Sequence, residues 1–101
     1  MIQLWQAEWC PHSHKVRQRL TEAGVDFVAR QVPAEPEERH ELEAQTGRRE
    51  IPTLRTEDGV VYTGEEEILP WLDGRFADRP DAELHRAKAR AEVPDFAELH
   101  G

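Results

Sequence analysis

The single cysteine of this chain falls where one hydrophobic period gives way to another. Ile2 to Gln6 alternates, with Ile2 and Leu4 set against Gln3, Trp5 and Gln6, and reads as a strand. From Pro11 to Ala23 the apolar residues Val16, Leu20 and Ala23 recur at helical spacing. Pro11 suits the first turn of that helix and Gly24 its C-terminal cap. Cys10 stands between the two, in Trp9-Cys10-Pro11-His12-Ser13. A helix start offers unpaired N–H groups and a positive potential, and both favour thiolate over thiol. Cys10 is therefore a candidate nucleophile, and Ser13, one turn on, is placed to donate it a hydrogen bond.

Further elements follow in alternation. Asp26 to Val32 is β-rich and reads as a second strand. Pro36, Glu37 and Glu38 open a second helix that runs to Thr46 before Gly47, with Leu42 its one strong anchor. Ile51 to Thr56 and Val60 to Tyr62 are two short strands, and Asp58-Gly59 between them is a hairpin signal. Thr63 is predicted to cap a third helix, with Glu66 completing a capping box. Ile68, Leu72 and Phe76 line its buried face beside Trp71, and Pro70 is expected to kink it. The order is β-α-β-α-β-β-α. A right-handed crossover makes the first two strands parallel, and the hairpin adds an antiparallel edge, giving a four-stranded mixed sheet. Asp78-Arg79-Pro80-Asp81 then reads as a linker and Ala82 to Val93 as a charged helix. Pro94 breaks that helix, leaving Phe96 and Leu99 as docking residues. We divide the chain into a domain over 1–77 and a linker with helical tail over 78–101.

A chain of 101 residues has room for one compact core. No apolar run approaches the roughly 20 residues that a membrane helix needs. The net charge of −8 argues against nucleic acid and anionic membranes as partners. Residues 1–34 are the least acidic part, with three acids against four bases, and Cys10 lies there. A lone thiol, expected to be exposed, and the absence of a leader pattern at Met1-Ile2-Gln3-Leu4 together suggest the cytoplasm.

Three motifs carry a resemblance. Trp9-Cys10-Pro11-His12-Ser13 is similar to the aromatic-Cys-Pro-x-Cys/Ser site of glutaredoxins, in its single-thiol version. Thr46-Gly47-Arg48-Arg49-Glu50-Ile51-Pro52 resembles their Gly-x-x-Thr-Val-Pro segment, whose proline is cis. Thr63-Gly64-Glu65-Glu66-Glu67-Ile68 resembles Gly-Gly-x-Asp-Asp-Leu, and Ile68-x-x-Trp71-Leu72 the Ile-x-x-Tyr-Leu ending of glutathione transferases. Residues 1–77 thus look like a glutaredoxin of the monothiol Cys-Pro-x-Ser type, or like the related N-terminal domain of glutathione transferases. The resemblance implies an α/β thioredoxin fold with an extra C-terminal helical tail. Two positions depart from the glutaredoxin pattern. Ala7 replaces a lysine three residues before the cysteine, and Glu50 replaces a threonine before the proline pair.

The resemblance also implies a function. Cys10 with Ser13 would catalyse thiol–disulfide exchange, with glutathione or a similar small thiol as co-substrate. Trp9, Pro11, Arg49, Ile51, Pro52, Gly64, Glu65 and Glu66 would bind glutathione. In that scheme Gly64 and Glu65 offer backbone amides to the γ-glutamyl carboxylate, and Glu66 meets its ammonium. Arg48 or Arg49 pairs with the glycine carboxylate, and Ile51 offers its backbone beside a cis Pro52. The partners would be glutathionylated or disulfide-containing proteins and small thiols, with no nucleic acid and no membrane. No metal is expected, because Cys10 and His14 share a helical face without further ligands. His12 reads as an exposed imidazole near the thiol. Two alternatives stand beside this reading. One is a [2Fe–2S] carrier built from two chains, although that family has Cys-Gly-Phe-Ser where this chain has Pro11. The other is a non-catalytic binding module of the transferase N-domain type.

Overall fold

In the computed structural model, which describes residues 1–93, the alternating run at the start becomes β1 (Gln3–Gln6) and the helical period becomes α1 (Pro11–Ala23). Then come β2 (Val28–Gln31), α2 (His40–Thr46), β3 (Thr53–Arg55), β4 (Val61–Thr63), α3 (Glu65–Arg75) and α4 (Ala82–Glu92). The sheet order is β2-β1-β3-β4. β1 runs parallel to β2, pairing Leu4 with Ala29, and antiparallel to β3, pairing Leu4 with Leu54. β3 and β4 close the hairpin, with Gly59 at φ 87°, a left-handed value that glycine adopts without steric cost. This is the thioredoxin-like arrangement.

One face of the sheet carries α1 and α3. Ile2, Leu4, Leu54, Val16, Leu20, Ile68 and Leu72 form a single apolar cluster there. Alternation in β1 predicts a polar second face, yet Trp5 on that face is buried as well. A central strand is covered on both sides, and Trp5 lines the space beneath α2 together with Leu42.

Two helices differ from expectation. The second helix is broken, with a 3₁₀ turn at Pro36–Glu38 and α2 starting only at His40. Arg39 sits at the break, only 4% exposed. Its guanidinium donates to the carbonyls of Pro33, Ala34 and Arg49, each at 2.9 Å. Burying that charge requires acceptors on every side, and the local backbone turns to provide them. The N-cap of α3 is Gly64 rather than Thr63, and the reaching side chain is Glu67, whose Oε1 accepts from the Thr63 N–H at 2.8 Å. The helix also runs through Pro70 without interruption to Arg75.

The tail helix α4 packs on α1. Arg86 donates to the buried Glu22 at 3.1 Å and to Asp78 at 2.8 Å, while Arg19 joins Asp73 and Asp78 at 2.7 Å each. Pro94, Phe96 and Leu99 lie outside the described residues. No described helix is long and apolar enough to cross a membrane.

The Arg39 contacts join the β2–α2 connection to the segment entering β3. Arg39→Ala leaves three carbonyls without their donor, and we expect a loss of about 2–3 kcal/mol in urea unfolding. Arg39→Lys should recover only a fraction, since one ammonium cannot match the planar fork.

Candidate thiol and ligand site

The connection from β1 into α1 is short and tied at several points. The Cys10 N–H donates to the Ala7 carbonyl at 3.1 Å, and the Cys10 carbonyl accepts from the His14 N–H at 3.0 Å. Cys10 is the N-cap of α1, with extended backbone at φ −82° and ψ 116°, and its Sγ accepts from the Ser13 N–H at 3.4 Å. The contact from Ser13 to the sulfur thus comes from the backbone. The Ser13 hydroxyl, fully buried, instead accepts from the Ala7 N–H at 3.5 Å. Arg17 reaches back from the second turn of α1 to Gln6 Oε1, the Ala7 carbonyl and the Glu8 carboxylate. A cation therefore braces the loop that holds Ala7.

The sequence predicts an exposed thiol, and the structure corrects this. Cys10 is 6% exposed. It stays outside the apolar cluster under the sheet, because its sulfur is turned under the first turn of α1 to meet the Ser13 N–H. Trp9 behaves oppositely. It is 64% exposed and forms no wall of the neighbouring cleft. Pro11 occupies the first helical position and is exposed.

That cleft, of about 410 Å³, opens between the starts of α1 and α3. His12 lines it from α1, Arg48, Glu50, Ile51 and Pro52 from the segment before β3, and Thr63 through Glu67 from the start of α3. The Ile51–Pro52 peptide is cis, and the Pro52 carbonyl accepts from the Gly64 N–H at 2.8 Å. The cleft therefore gathers Ile51, Pro52, Gly64, Glu65 and Glu66, five of the residues singled out in the sequence. It does not include Cys10, which lies two positions before His12.

Glu65 bridges the two helix starts. His12 Nδ1 hydrogen-bonds Glu65 Oε1, and Lys15 Nζ lies 3.2 Å from Oε2. Burial acts to raise the Glu65 carboxyl, but the hydrogen bonds from His12 and Lys15 outweigh it and hold the group below the ordinary carboxylate range. His12, read from sequence as an exposed imidazole near the thiol, is exposed and is also a partner of α3. Its spacing from Lys15 on one helix face was the available signal, but only the fold supplies Glu65 opposite. One turn along from Cys10, burial and then the Arg17 cation hold the His14 imidazole below the ordinary histidine range, so at neutral pH it adds no charge behind the sulfur. Among the described residues no three of His, Cys, Asp and Glu form a group that could hold a metal ion.

Gly64 has φ 82°, and a Cβ there would lie 2.8 Å from Glu66 Oε2. The Glu66 carboxylate is thus folded back over the N-terminus of α3; it can swing away from a Cβ, and it is the left-handed φ that favours glycine here. Arg49 is directed elsewhere: it pairs with Glu43 at 2.5 Å, and Arg48 takes its place on the cleft wall. Glu50 Oε2 accepts from the Arg49 N–H at 3.1 Å.

The family model described as glutathione S-transferase, N-terminal domain, matches residues 9–75. The chain belongs to this family. A glutathione S-transferase domain-containing protein of Marinobacter aquaeolei VT8 is 25% identical at a TM-score of 0.62, over 74% of this chain and 38% of its own. A glutathione S-transferase of Rhodospirillum rubrum F11 is 26% identical at a TM-score of 0.64, over 88% and 43%. Rice GST1, solved in complex with glutathione, shares the fold at 24% identity and a TM-score of 0.65, over 89% and 44%. The chain spans less than half the length of each. No curated protein matches it. The family is thus that of the transferase N-terminal domain, the second of the two relatives that the motifs imply.

The depressed Glu65 carboxyl gives a signed expectation. Its folded value lies below the ordinary 4.5, so its contribution is complete above that pH and is lost as acidification passes through the folded value. Glu65→Gln should lower the urea midpoint at pH 7. The difference from wild type should shrink as the pH falls below 4.5 through the folded value.

Proposed function

We propose that this domain binds glutathione, or a closely related small thiol, in the cleft between α1 and α3, and uses Cys10 for monothiol exchange. The observation that carries the proposal is the position of Cys10 as N-cap of α1, its Sγ held by the Ser13 N–H, two residues from the cleft wall. Membership of the transferase N-domain family and the glutathione held by the rice protein of the same fold support the ligand class.

In the reaction, the Cys10 thiolate attacks the glutathione sulfur of a protein–glutathione mixed disulfide. The protein thiolate leaves and takes a proton, and a Cys10–glutathione disulfide remains. A second small thiol then attacks the glutathione sulfur of that disulfide. Oxidised glutathione departs and the Cys10 thiolate is restored. The chain has no second cysteine to resolve the adduct internally, so an external thiol is required at each turnover. The N–H groups at the start of α3 would receive the γ-glutamyl carboxylate, since the first turn of a helix has donors without intrahelical acceptors.

The burial of Cys10 favours a second reading, a binding module with no chemistry at the sulfur. One experiment separates the two. Incubation with oxidised glutathione should give a single glutathione adduct by intact mass that Cys10→Ser abolishes, with turnover of a glutathionylated peptide lost in parallel. Binding of S-methylglutathione should survive that substitution. Ligand binding without adduct or turnover would leave only the module.

A further inference from the structure

The thiol proposed to react is covered. Cys10 is 6% exposed and does not line the cleft, whereas thiol–disulfide exchange needs a line of approach to the sulfur. The sulfur is turned under the first turn of α1, where Ser13 donates its N–H to it at 3.4 Å. His12 and Lys15 flank Ser13 along the helix, and one carboxylate of α3 holds them both. Glu65 Oε1 hydrogen-bonds His12 Nδ1, and Oε2 lies 3.2 Å from Lys15 Nζ. Glu65 thus stands between the cleft, which it lines with His12, and the groove between α1 and α3, which it lines with Lys15. Farther along, Arg19 Nε donates to Asp73 Oδ1 at 2.7 Å and ties the same two helices a second time. The two ties are separable. Loss of the one at Asp73 leaves the first turn fixed. Loss of the one at Glu65 frees the first turn, while the rest of α1 stays packed through the fully buried Val16 and Leu20.

We infer that Glu65 is a latch: it holds the first turn of α1 closed over Cys10, and release of its bonds to His12 and Lys15 opens the sulfur to the cleft. This rests on the exchange chemistry proposed above, for which Glu65 is then a positioning residue. It acts through the helix, by fixing the residues on either side of the N–H that holds the sulfur. A pair of polar contacts near the surface is a small fraction of a domain's stability, so one turn can open without global unfolding.

Iodoacetamide labelling of Cys10 in the full chain, followed by intact mass, reads the opening directly. Without denaturant Glu65→Gln should label at least about tenfold faster than wild type, and Glu65→Ala faster still. The gain should persist at the high-pH plateau of the rate profile, where the thiol is ionised in every variant and only access differs. It should be nearly independent of urea well below the unfolding midpoint, because opening one turn exposes little surface. Asp73→Asn, which loosens the other tie, should stay within about twofold of wild type. Three results would each overturn the latch: equal rates for wild type and the Glu65 variants, an acceleration that grows with urea as global unfolding does, or an equal acceleration by Asp73→Asn. Faster labelling of the Glu65 variants without any adduct from oxidised glutathione would uphold the latch and overturn the exchange chemistry instead.

Discussion

Two helices of this domain begin at the same edge of the sheet, and each begins with positive potential and donors that need acceptors. β1 delivers α1 there and β4 delivers α3, so the geometry is set by the strand order rather than by any local choice. Carboxylates are the natural answer. Glu65 takes donors from both α1 residues that face it, and Glu67 reaches back to the Thr63 N–H. The cis segment at Ile51–Pro52 closes the third side, fastened to α3 by the Gly64 N–H. The cleft exists because these three starts converge.

Within that frame the sulfur is held by backbone rather than by side chains. Ala7 accepts from Cys10 and donates to Ser13, and Ser13 in turn donates its N–H to the sulfur. Each member of this cycle is a short-range contact fixed once β1 ends and α1 starts. Arg17 adds the long-range element, bracing Gln6, Ala7 and Glu8 together. A substitution at Ser13 therefore acts on loop geometry as much as on the thiol, because its hydroxyl is spent on Ala7.

Local patterns carried the architecture. The switch from alternation to helical spacing around Cys10 predicts β1 and α1 within a residue, and Asp58-Gly59 predicts the hairpin. What stayed illegible depended on partners distant in sequence. Trp5 looks polar-facing until α2 covers the second face of the sheet. Arg39 reads as one more surface charge in an acidic helix, and only the meeting of Pro33, Ala34 and Arg49 makes it a buried bracket. Thr63-Gly64-Glu65-Glu66 satisfies the capping-box pattern, but the chain starts its helix one residue later, because Gly64 must turn to φ 82° to donate to Pro52. Choosing between Arg48 and Arg49 from sequence alone had no basis, since Glu43 decides it from the preceding helix.

The same carboxylates that line the cleft set the terms on which it can be filled. An anionic ligand group arriving at α3 must compete with Glu66 for a helix end that is already compensated, so part of the attraction expected of a bare N-terminus is spent before binding begins. A ligand group bearing positive charge meets no such competition, and gains from Glu66 what an anion loses. Capping and recognition therefore pull in opposite directions for a polyanion and in the same direction for a zwitterion or cation. That asymmetry follows from the placement of one glutamate, folded over Gly64 at the start of α3.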